Sequence, residues 1–520
     1  MVIGIDLGTT YSAVSYLNEK MEPEIVLNRE NEISTPSVVF VDGKDVAIGK
    51  EAQKKGLQWP EKICRCIKRH MGFRHRFLQE TEENYSPETI SALIIRRLIE
   101  DVMTRREGNI EGIVVTVPTS FDNPKRTATI QAVKAALEAM EDSSQEIFKR
   151  IRSVKFIEVI NEPEAAALYY CHKSKRKQGR ILIYDLGGGT FDAALIEIDG
   201  NTISVIGRAD EHAAGGSYFD NMILDYVIKE VNDKHHINLL EKKYRSEKEI
   251  ILMDVENSKK LLSKEGVDKV DIAVRCKHKT CDVALTKDKF NEIILPLVHR
   301  TQDAISDMLD ENGFEAEDID EVVLVGGSSK IPYIRECLRE IFQKDLCEDV
   351  DPEKAVVFGA SIHADRLLKE RKDNGENSEW NEQENVLKIN DFCTYSIGIL
   401  TIDLDTGEKV DDILIEEKTP LVAEVERSYE TRFENQTYIK LEITEGGCVI
   451  NERNFKLPQG LKMGTEVIVR IVVNTSHMIE VYLKVPSIAF SKKYIATSLQ
   501  NLSEEEQKEL SGLVASKKIH

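Results

Sequence analysis

Apolar and polar residues are arranged in two different patterns over the first 370 positions of the chain. Short apolar runs predict strands, and longer segments with an apolar residue every three or four positions predict helices. The predicted strands are VIGIDL (2–7), PSVVFV (36–41), GIVVTVP (112–118), RILIYDL (180–186) and EVVLVGG (321–327), and the predicted helices are PETISALIIRRLIEDVM (87–103), KRTATIQAVKAALEAM (125–140) and EKEIILMDVENSKKLL (247–262). This alternation predicts an α/β domain, which we place at residues 1–368.

The pattern changes twice after residue 368. Residues 369–391 are almost wholly polar and predict a linker between two domains. Residues 392–500 then consist of short segments with alternating apolar and polar residues, which predicts an all-β, sandwich-like domain. In residues 501–520, Ser503 and Glu506 have the spacing of a capping box ahead of one short amphipathic helix.

One feature of the first domain occurs twice, in residues 2–17 and 182–198: a strand that ends in Asp-Leu-Gly, a turn of small residues with a threonine, and a second strand. This internal repeat predicts two similar half-domains that face each other. Glycines let backbone N–H groups approach phosphate oxygens, and a strand-end aspartate can hold a hydrated divalent cation through water. We therefore predict a polyphosphate clamp, with two ordinary β-turns as the alternative. The clamp residues are Asp6, Gly8, Thr9, Thr10, Asp185, Gly187, Gly188, Gly189 and Thr190.

Composition narrows the classes of protein that fit. The 520 residues carry a net charge of -21, which argues against a protein that binds the nucleic-acid backbone. No apolar run approaches the roughly 20 residues of a membrane-spanning helix. The N-terminal MVIGIDLGTT lacks the features of an export signal, so the cytoplasm is the expected location. Neither the pair Cys64 and Cys66 nor Cys276, His278 and Cys281 matches a common zinc site, and we expect reduced thiols.

Seven motifs together resemble the DnaK-type 70-kDa heat-shock chaperone family, within the actin and sugar-kinase superfamily. They occur in the family's order: IDLGTTYS (5–12), KRHMG (68–72), VTVPTSF (115–121), INEPEAAAL (160–168), DLGGGTFD (185–192), ENSKKLLS (256–263) and VLVGGSSKIP (323–332). The resemblance covers residues 1 to about 510. It implies an actin-like, bilobed ATPase domain with a duplicated ribonuclease-H-like fold, followed by a β-sandwich-like peptide-binding domain.

The resemblance implies a role for each residue of the clamp. The threonines of the first hairpin and the three glycines of the second would hold the β- and γ-phosphates of ATP or ADP. Asp6 and Asp185 would position Mg2+ through its waters, and K+ is a second cation that the family allows. Lys68 would orient the attacking water and neutralise charge on the phosphoryl oxygens, with a solvated surface lysine as the alternative. The implied catalytic set is Lys68, Glu162, Asp185, Asp6 and Thr190, and Asp192 completes the acidic rim.

A second group of residues would hold the adenosine. Glu256, Lys259 and Ser263 lie three and four positions apart, hence on one face of a predicted helix, and a solvated helix face is the alternative. Lys330 would lie over the purine at a position where the family usually has arginine, so we expect weaker stacking. The implied nucleotide-binding set also includes Gly8, Tyr11, Asp192, Gly215, Gly216, Lys260, Gly326, Gly327, Ser328 and Glu353.

The resemblance is looser over the β-rich segment. It implies a cleft for extended apolar peptides, whose period-2 apolar residues could equally be plain sandwich core. The residues concerned are Ile399, Tyr429, Ile439 and Leu441 in the cleft, and Ile402 and Arg432 in the arch over it.

Two departures from the family concern the connection between the domains. In the linker segment 386–391, Lys388 and Asn390 interrupt the apolar run, so we expect weaker docking of the linker. The helical lid is reduced to residues 503–520, so we expect faster peptide release. Pro118 and Arg126 match the family's relay between nucleotide and linker.

Together these inferences predict a monomeric, ATP-hydrolysing chaperone. Its expected partners are unfolded or extended peptides, a J-domain co-chaperone and a nucleotide-exchange factor, and not nucleic acid or membranes. The short lid suggests a divergent bacterial branch similar to HscC. The alternatives are a small-molecule kinase of the same superfamily, against which the β-rich tail argues, and a nucleotide-binding scaffold without hydrolysis, against which Lys68 and Glu162 argue.

Overall fold

The computed structural model of the chain describes residues 1–78, 83–141, 146–276, 279–373, 387–403, 406–498 and 500–520. Its first sheet has the strand order β3-β2-β1-β8-β9, with β4 also paired to β2. Strands β1 and β2 are antiparallel, and β8 and β9 continue the sheet in parallel with β1. The elements up to residue 174 are β1 (Val2–Leu7), β2 (Tyr11–Leu17), β3 (Pro23–Ile25), β4 (Thr35–Pro36), β5 (Val39–Asp42), β6 (Asp45–Ile48), α1 (Lys50–Gly56), β7 (Ile63–Cys64), α2 (Pro87–Arg105), β8 (Gly112–Val117), α3 (Asn123–Glu141), β9 (Phe156–Asn161) and α4 (Glu162–Ser174).

A second sheet repeats the strand order of the first. Strands β12, β11 and β10 are successively antiparallel and β15 follows in parallel, as β3, β2, β1 and β8 do. The repeated hairpin in the sequence predicts this likeness. The elements are β10 (Gln178–Leu186), β11 (Phe191–Asp199), β12 (Thr202–Glu211), α5 (Gly216–His235), α6 (Arg245–Leu262), β13 (Lys269–Cys276), β14 (Lys279–Thr286), α7 (Lys287–Asn312), β15 (Glu321–Val325), α8 (Pro332–Phe342) and α9 (Ala355–Asp373).

Helices α4 and α9 join the two sheets. Their apolar residues form one core with residues from strands of both sheets, including Val114 and Ile183. Gly359 in α9 lies so close to Ala165 in α4 that a Cβ atom would overlap its backbone. The glycine therefore permits a helix crossing at backbone contact.

The β-rich segment contains two four-stranded antiparallel sheets, β18-β17-β20-β21 and β19-β22-β23-β24. Their apolar faces share one core, as alternating strands predict. The remaining elements are β16 (Lys388–Asn390), β17 (Ile397–Ile402), β18 (Lys409–Ile415), β19 (Ala423–Glu430), β20 (Gln436–Glu445), β21 (Cys448–Leu461), β22 (Glu466–Val473), β23 (Ile479–Val485), β24 (Phe490–Ile495), α10 (Glu504–Ser516) and β25 (Lys518–Ile519).

The linker segment pairs with the second sheet. Strand β16 lies parallel to β12, while Leu387 and Ile389 pack against the core around α4 and α9. Lys388 and Asn390 are exposed, because side chains alternate across a strand. The two polar residues therefore leave the apolar face of the linker in contact with this core, and weaker docking stays a prediction. Val386 lies outside the described residues.

The segment predicted to be a lid remnant packs against the N-terminal part. Helix α10 contacts α2 and α3, and β25 extends a small sheet of order β25-β6-β5-β7. The predicted capping box is present, since Ser503 accepts from the Glu506 N–H and Glu506 accepts from the Ser503 N–H. The contacts of α10 are thus those of a helix built into the first domain.

The nine cysteines are free thiols, and Cys276 and Cys281 are buried on strands β13 and β14. His278, between them in the sequence, lies outside the described residues. Within the described ranges, no helix combines the length and the apolarity that crossing a bilayer requires.

Candidate functional site

A cavity of about 1040 Å³ lies between the two repeated hairpins. It brings together most of the residues that the sequence singles out for nucleotide binding. Those that line it are Asp6, Gly8, Thr9, Thr10, Tyr11, Lys68, Pro118, Glu162, Asp185, Gly187, Gly188, Gly189, Thr190, Gly216, Glu256, Lys259, Lys260, Ser263, Gly326, Gly327, Ser328, Lys330 and Glu353. Gly215 and Asp192 lie behind the lining, where Gly215 precedes α5 at a φ of 136°.

The turns of the two hairpins face each other at contact distance. A Cβ atom on Gly188 would overlap the side chain of Thr10, and one on Gly189 would overlap that of Thr9. The Gly187 carbonyl accepts hydrogen bonds from the Gly216 N–H at 3.0 Å and the Ser328 hydroxyl at 2.8 Å. The glycine turn is therefore fixed from behind, and side chains larger than hydrogen are excluded where the hairpins meet.

Three carboxylates that line the cavity, those of Asp6, Glu162 and Asp185, interact with Lys68, and Asp192 lies close to Glu162 and Asp185. Lys68 is buried and forms an ion pair with Glu162. Burial, reinforced by Glu162, raises the pKa of Asp6 to about 6, although Lys68 opposes the rise. Burial and the neighbouring acids raise the pKa of Asp185 well above its ordinary value, and burial also raises that of Asp192. One ammonium does not balance four acidic groups, so this end of the cavity favours an added cation.

The donor set fits a cation that keeps its water shell. Among the described residues, no group of three or more His, Cys, Asp or Glu side chains is close enough to bind a metal ion directly. Mg2+ retains several of its waters and uses one or two protein carboxylates. Asp6 and Asp185, both on the cavity wall, fit that requirement.

Two threonines that the sequence prediction missed hold the aspartates in place. Thr116 on β8 donates to Asp6 Oδ1 at 3.0 Å. Thr119 donates to Asp192 Oδ1 through its hydroxyl at 2.6 Å and its N–H at 3.1 Å. Hydrogen bonds to a carboxylate lower its pKa, so both threonines oppose the effect of burial. Both residues lie in VTVPTSF, but only the strand pairing of β1 with β8 identifies the carboxylate that Thr116 meets.

The wider end of the cavity is polar and lined by ion pairs. Tyr11 donates to Glu256 at 2.8 Å, and Lys260 reaches the same carboxylate at 2.6 Å. Lys330, which also lines the cavity, pairs with Glu353 at 2.8 Å. Each lysine is therefore positioned by an acid and stays beside open space that a flat ring could occupy.

Lys259 has a different environment from the one that the sequence suggests. It is buried and bonded to Asp220 at 2.7 Å and to the Gly216 carbonyl at 2.9 Å. Asp220 was not among the predicted site residues, because it lies on α5, far from any recognised motif. The signal that could have identified Asp220 is its position four residues after Gly216, where α5 begins in the site.

The predicted relay residues connect the cavity with the β-rich segment. Pro118 lines the cavity, and Arg126 is buried with bonds to the Phe121 carbonyl at 2.7 Å and Asn161 Oδ1 at 2.6 Å. Burial lowers the pKa of Arg126 to about 10. Asn161 directly precedes Glu162 and lies 3.4 Å from the His477 ring of the β-rich segment. The structure thus places these residues in one continuous set of contacts, while the relay role itself stays a prediction.

Further contacts dock the β-rich segment on the first domain. Asp391 pairs with Arg208, which also binds Glu164 at 2.7 Å, and with His477 at 2.7 Å. Glu445 accepts a hydrogen bond from the Asn123 N–H at 2.9 Å, at the start of α3. Glu164 and His477 are buried, and the side chains of Arg208 and Asp391 are at most 10% exposed, so the docking surface contains polar and charged groups that satisfy one another.

The residues predicted for a peptide cleft fall into two groups. Ile399, Ile439 and Leu441 are buried in the core shared by the two sheets. Ile402 and Arg432 are exposed, and the half-buried Tyr429 donates to Asp412 at 2.8 Å. In this structure the first group has the environment of sandwich core, and the exposed pair is available to a ligand.

These features define a class of protein in which two similar sheets enclose a cleft lined by glycine turns, acidic residues and a buried lysine, Lys68. Residues 2–463 match the family model described as Hsp70 protein. The chain belongs to the Hsp70 family. Members of this family are, in general, ATPases and chaperones that bind ATP or ADP with Mg2+, unfolded peptides and J-domain co-chaperones.

Proposed function

We propose that the protein is a chaperone in which Mg-ATP binding and slow hydrolysis between the two hairpins control capture and release of extended apolar peptides by the β-rich segment. The observation that carries the proposal is the convergence of both glycine turns, the buried acids and Lys68 on one cavity of about 1040 Å³. A tri-phosphate with a hydrated cation matches this combination of backbone donors and uncompensated carboxylates.

In this proposal different residues of the cavity bind the phosphates, orient the attacking water and hold the hydrated cation. The glycine turn and the facing threonines bind the phosphates and exclude bulk water. Lys68, held by Glu162, orients the attacking water and neutralises charge on the phosphoryl oxygens. Asp6 and Asp185 hold the waters of a cation, which supplies Lewis-acid polarisation of the phosphates when bound. The hydrogen bonds from Thr119 favour the ionised form of Asp192 beside this centre, against the effect of burial.

The finer statements about architecture belong to the same proposal. We infer an actin-like, bilobed ATPase domain in residues 1–368, because the two sheets share one strand order and enclose the cavity. We infer a linker at 369–391 and a peptide-binding domain at 392–500, in a cytoplasmic monomer of a divergent, HscC-like branch. A J-domain co-chaperone and a nucleotide-exchange factor would be its partners.

We further propose that the exposed arch residues bias the choice of peptide. Ile402 offers an exposed apolar contact, and Arg432 offers an exposed positive charge. A guanidinium favours peptides in which a carboxylate lies next to the apolar anchor. Acidic or mixed segments are therefore the expected clients.

The experiment that tests the proposal is single-turnover ATP hydrolysis with the wild type and Lys68→Ala. We expect a loss of about 10² to 10³-fold in rate with nucleotide binding retained, because the lysine acts on charge that develops during the reaction. Lys62→Ala is the matched control, since this lysine is exposed and paired with Asp42. An unchanged rate in Lys68→Ala would show that the catalytic assignment is wrong.

Two additions separate the chaperone from the alternatives. An unfolded apolar peptide should bind and change the rate of ATP turnover, and a panel of sugars should not accept phosphate. Sugar-dependent phosphate transfer would favour a small-molecule kinase instead. Absence of both peptide binding and hydrolysis would favour a nucleotide-binding scaffold.

A further inference from the structure

A second cavity, of about 620 Å³, lies beside the nucleotide cavity, where residues of β3, the C-terminal ends of α2 and α4 and the start of α9 meet. Its size is typical of sites for small organic ligands, which occupy cavities of about 300–1000 Å³. The segment before α9 separates the two cavities, because Asp351 and Lys354 line this one while Pro352 and Glu353 line the nucleotide cavity. No described residue among those predicted for nucleotide or peptide binding lines the second cavity.

Apolar side chains form part of its lining. Ile25 and Leu27 contribute to it, and Leu27 is 37% exposed. The rings of Tyr169 and Phe358 meet edge to face with their centroids 5.1 Å apart. Tyr169 is 9% exposed, and its hydroxyl has no hydrogen-bond partner among the described residues. A nearly buried hydroxyl that lines a cavity without a protein partner is available to a ligand.

The rest of the lining is positively charged on balance, in a chain whose net charge is -21. Four cations and two acids line the cavity. The acid Glu24 pairs with Arg106, and the acid Asp351 pairs with Lys354 at 3.0 Å. Two of the four cations therefore remain after each acid has been matched with one.

Those two cations, Arg105 and Lys173, are held by neutral oxygen atoms. Arg105 donates to the Asn28 carbonyl and to Asn31 Oδ1 at 2.8 Å, and Lys173 donates to the Asp349 carbonyl. Within the described ranges, neither cation has a carboxylate within ion-pair distance. Each lies in the last turn of a helix, where a cation is favourable. Two helices that end at one cavity thus bring two unneutralised charges to its lining.

We propose that this cavity binds a small amphipathic anion, in which an apolar group is joined to a phosphate or a carboxylate, and that its occupancy weakens nucleotide binding in the neighbouring cavity. The apolar group packs against Tyr169 and Phe358. The oxyanion pairs with Arg105 and Lys173, which match the two charges of a phosphate ester. Only the effect on nucleotide rests on the proposed function, in which the larger cavity binds ATP or ADP.

Asp351 connects the two cavities. Its Oδ2 lies 3.0 Å from Lys354 Nζ, and its Oδ1 lies 3.5 Å from the Nζ of Lys330, which lines the nucleotide cavity. An anion that draws Lys354 away leaves the Asp351 carboxylate less neutralised. The carboxylate and the anion then both add negative charge beside a cavity that holds an anionic nucleotide, so binding in one cavity opposes binding in the other.

The test is calorimetry on the full chain with 1-naphthyl phosphate as the probe, at saturating ADP and Mg2+, which keep the probe out of the nucleotide cavity. We expect the probe to bind, and 1-naphthol and inorganic phosphate to bind about tenfold more weakly, because each lacks one half of the ligand. 1-Naphthylacetate is the second anionic probe, and the tighter of the two anions shows whether the site prefers a phosphate or a carboxylate. Absence of binding by both anions would overturn the proposal. Equally tight binding of 1-naphthol would contradict the role of the cations, and equally tight binding of inorganic phosphate would contradict that of the apolar lining.

Lys173→Ala identifies where the probe binds. Lys173 is exposed and donates to a backbone carbonyl, so alanine should leave the fold intact, which thermal unfolding checks. We expect about fivefold to tenfold weaker binding of 1-naphthyl phosphate, because a charge-assisted hydrogen bond is lost. Lys177→Ala is the matched control, since this lysine is exposed just beyond α4 and does not line the cavity. Wild-type affinity in Lys173→Ala would show that the probe binds elsewhere.

The same variant, together with Asp351→Asn, tests the coupling. In the wild type the probe should weaken ADP binding about threefold to tenfold, and ADP should weaken probe binding by the same factor. The effect should be lost in Lys173→Ala at the same probe concentration and reduced in Asp351→Asn, which lacks the charge that two lysines share. An effect that persists in Lys173→Ala would indicate direct competition for the nucleotide cavity and would overturn the coupling. Failure of ADP to bind without the probe would contradict the proposed function instead, whereas probe binding without nucleotide tests the second cavity alone.

Discussion

Most residues predicted for the nucleotide cleft share one cavity, whereas the residues predicted for a peptide cleft in the β-rich segment do not share one environment. Residues assigned to the cleft lie more than 300 positions apart, from Asp6 to Glu353, and nearly all line one cavity. Residues assigned to a peptide cleft lie within about 45 positions, and they separate into buried core and exposed surface. Residue type therefore predicts a shared site better than proximity in the sequence does.

The difference between the two regions has a physical cause. A phosphate site needs glycine, acid and ammonium in strained or buried positions, where such residues are otherwise costly. An apolar peptide site needs the same residues that fill a sandwich core, and period-2 apolar residues serve both. The exposed fraction of each side chain, rather than its identity, separates the two uses.

Leu441→Ala and Ile402→Ala test that separation most directly. Leu441 is 4% exposed and Ile402 is 43% exposed. We expect Leu441→Ala to lower the free energy of unfolding of the β-rich segment by about 2–5 kcal/mol, because it leaves a cavity. Ile402→Ala should change that free energy by less than about 0.5 kcal/mol and weaken binding of an apolar peptide about threefold to tenfold. Urea unfolding and fluorescence anisotropy measure the two effects. Weaker peptide binding in Leu441→Ala at unchanged stability would place Leu441 in a cleft.

Gly188→Ala and Gly187→Ala test whether the glycine turn serves the protein or a ligand. An added methyl group on Gly188 overlaps Thr10, whereas the nearest atom to one on Gly187 is Thr190 O at 3.9 Å. We expect Gly188→Ala to lower ATP affinity by about 10- to 100-fold, since each tenfold step is 1.4 kcal/mol. Gly187→Ala should leave thermal stability unchanged and lower ATP affinity, measured by calorimetry, only if the backbone approaches the phosphates. Wild-type affinity in both variants would contradict the phosphate cradle.

Glu445→Gln tests the electrostatics of docking. Burial raises the pKa of Glu445 to about 7 from an ordinary value of 4.5, while the Asn123 N–H opposes the rise. The docked state therefore binds more protons than the undocked state between these values, and docking weakens as pH rises through them. The glutamine keeps an acceptor without the charge, so we expect docking at pH 8 to strengthen by about 1–3 kcal/mol.

Hydrogen exchange at residues 118–128 measures this effect at pH 5 and pH 8, with correction for the intrinsic rate. At pH 5 the variant and the wild type should agree. Glu434→Gln, at an exposed position of the same segment, serves as the control. Equal pH dependence in Glu445→Gln and the wild type would assign the pH response to other groups, such as His477.

Thr119→Val should produce the smallest effect, confined to acidic pH. The hydroxyl of Thr119 lowers the pKa of Asp192 against the effect of burial, so its removal raises that pKa. Asp192 then becomes protonated at a higher pH, and the acid limb of the ATPase profile moves upward. We expect about threefold to tenfold lower rates on that limb and little change above it. Thr119→Ser should restore the wild-type profile, whereas a uniform loss at every pH would indicate a structural role alone.

For the five strands and three helices named from the sequence, the bounds in the N-terminal part could be predicted to within a few residues. The strand predicted at residues 2–7 is β1, and the helix predicted at 247–262 is within α6. Apolar periodicity is strong in such buried elements. In strands β19, β21 and β24 the alternation is weaker, because charged residues fill their exposed faces.

The candidate site could be predicted where the residues that carry its chemistry are close together in the sequence. The two hairpins carry their glycines and aspartates within a few residues of each other, so each is visible alone. Thr119 and Asp220 were missed because their partners, Asp192 and Lys259, are distant in the sequence. The position of the tail was missed for the same reason, since only pairing with β6 and burial of Lys517 reveal it.

The two sheets are joined at the crossing of α4 and α9. Gly359 lies against Ala165 without room for a Cβ atom, and Val356, one helical turn earlier, lines the cavity. A rotation of one sheet against the other would change this contact, because the α9 backbone at Gly359 lies directly against the α4 backbone at Ala165. A single added carbon at position 359 would overlap the backbone of Ala165 and force α4 and α9 apart, one helical turn from the wall of the cavity.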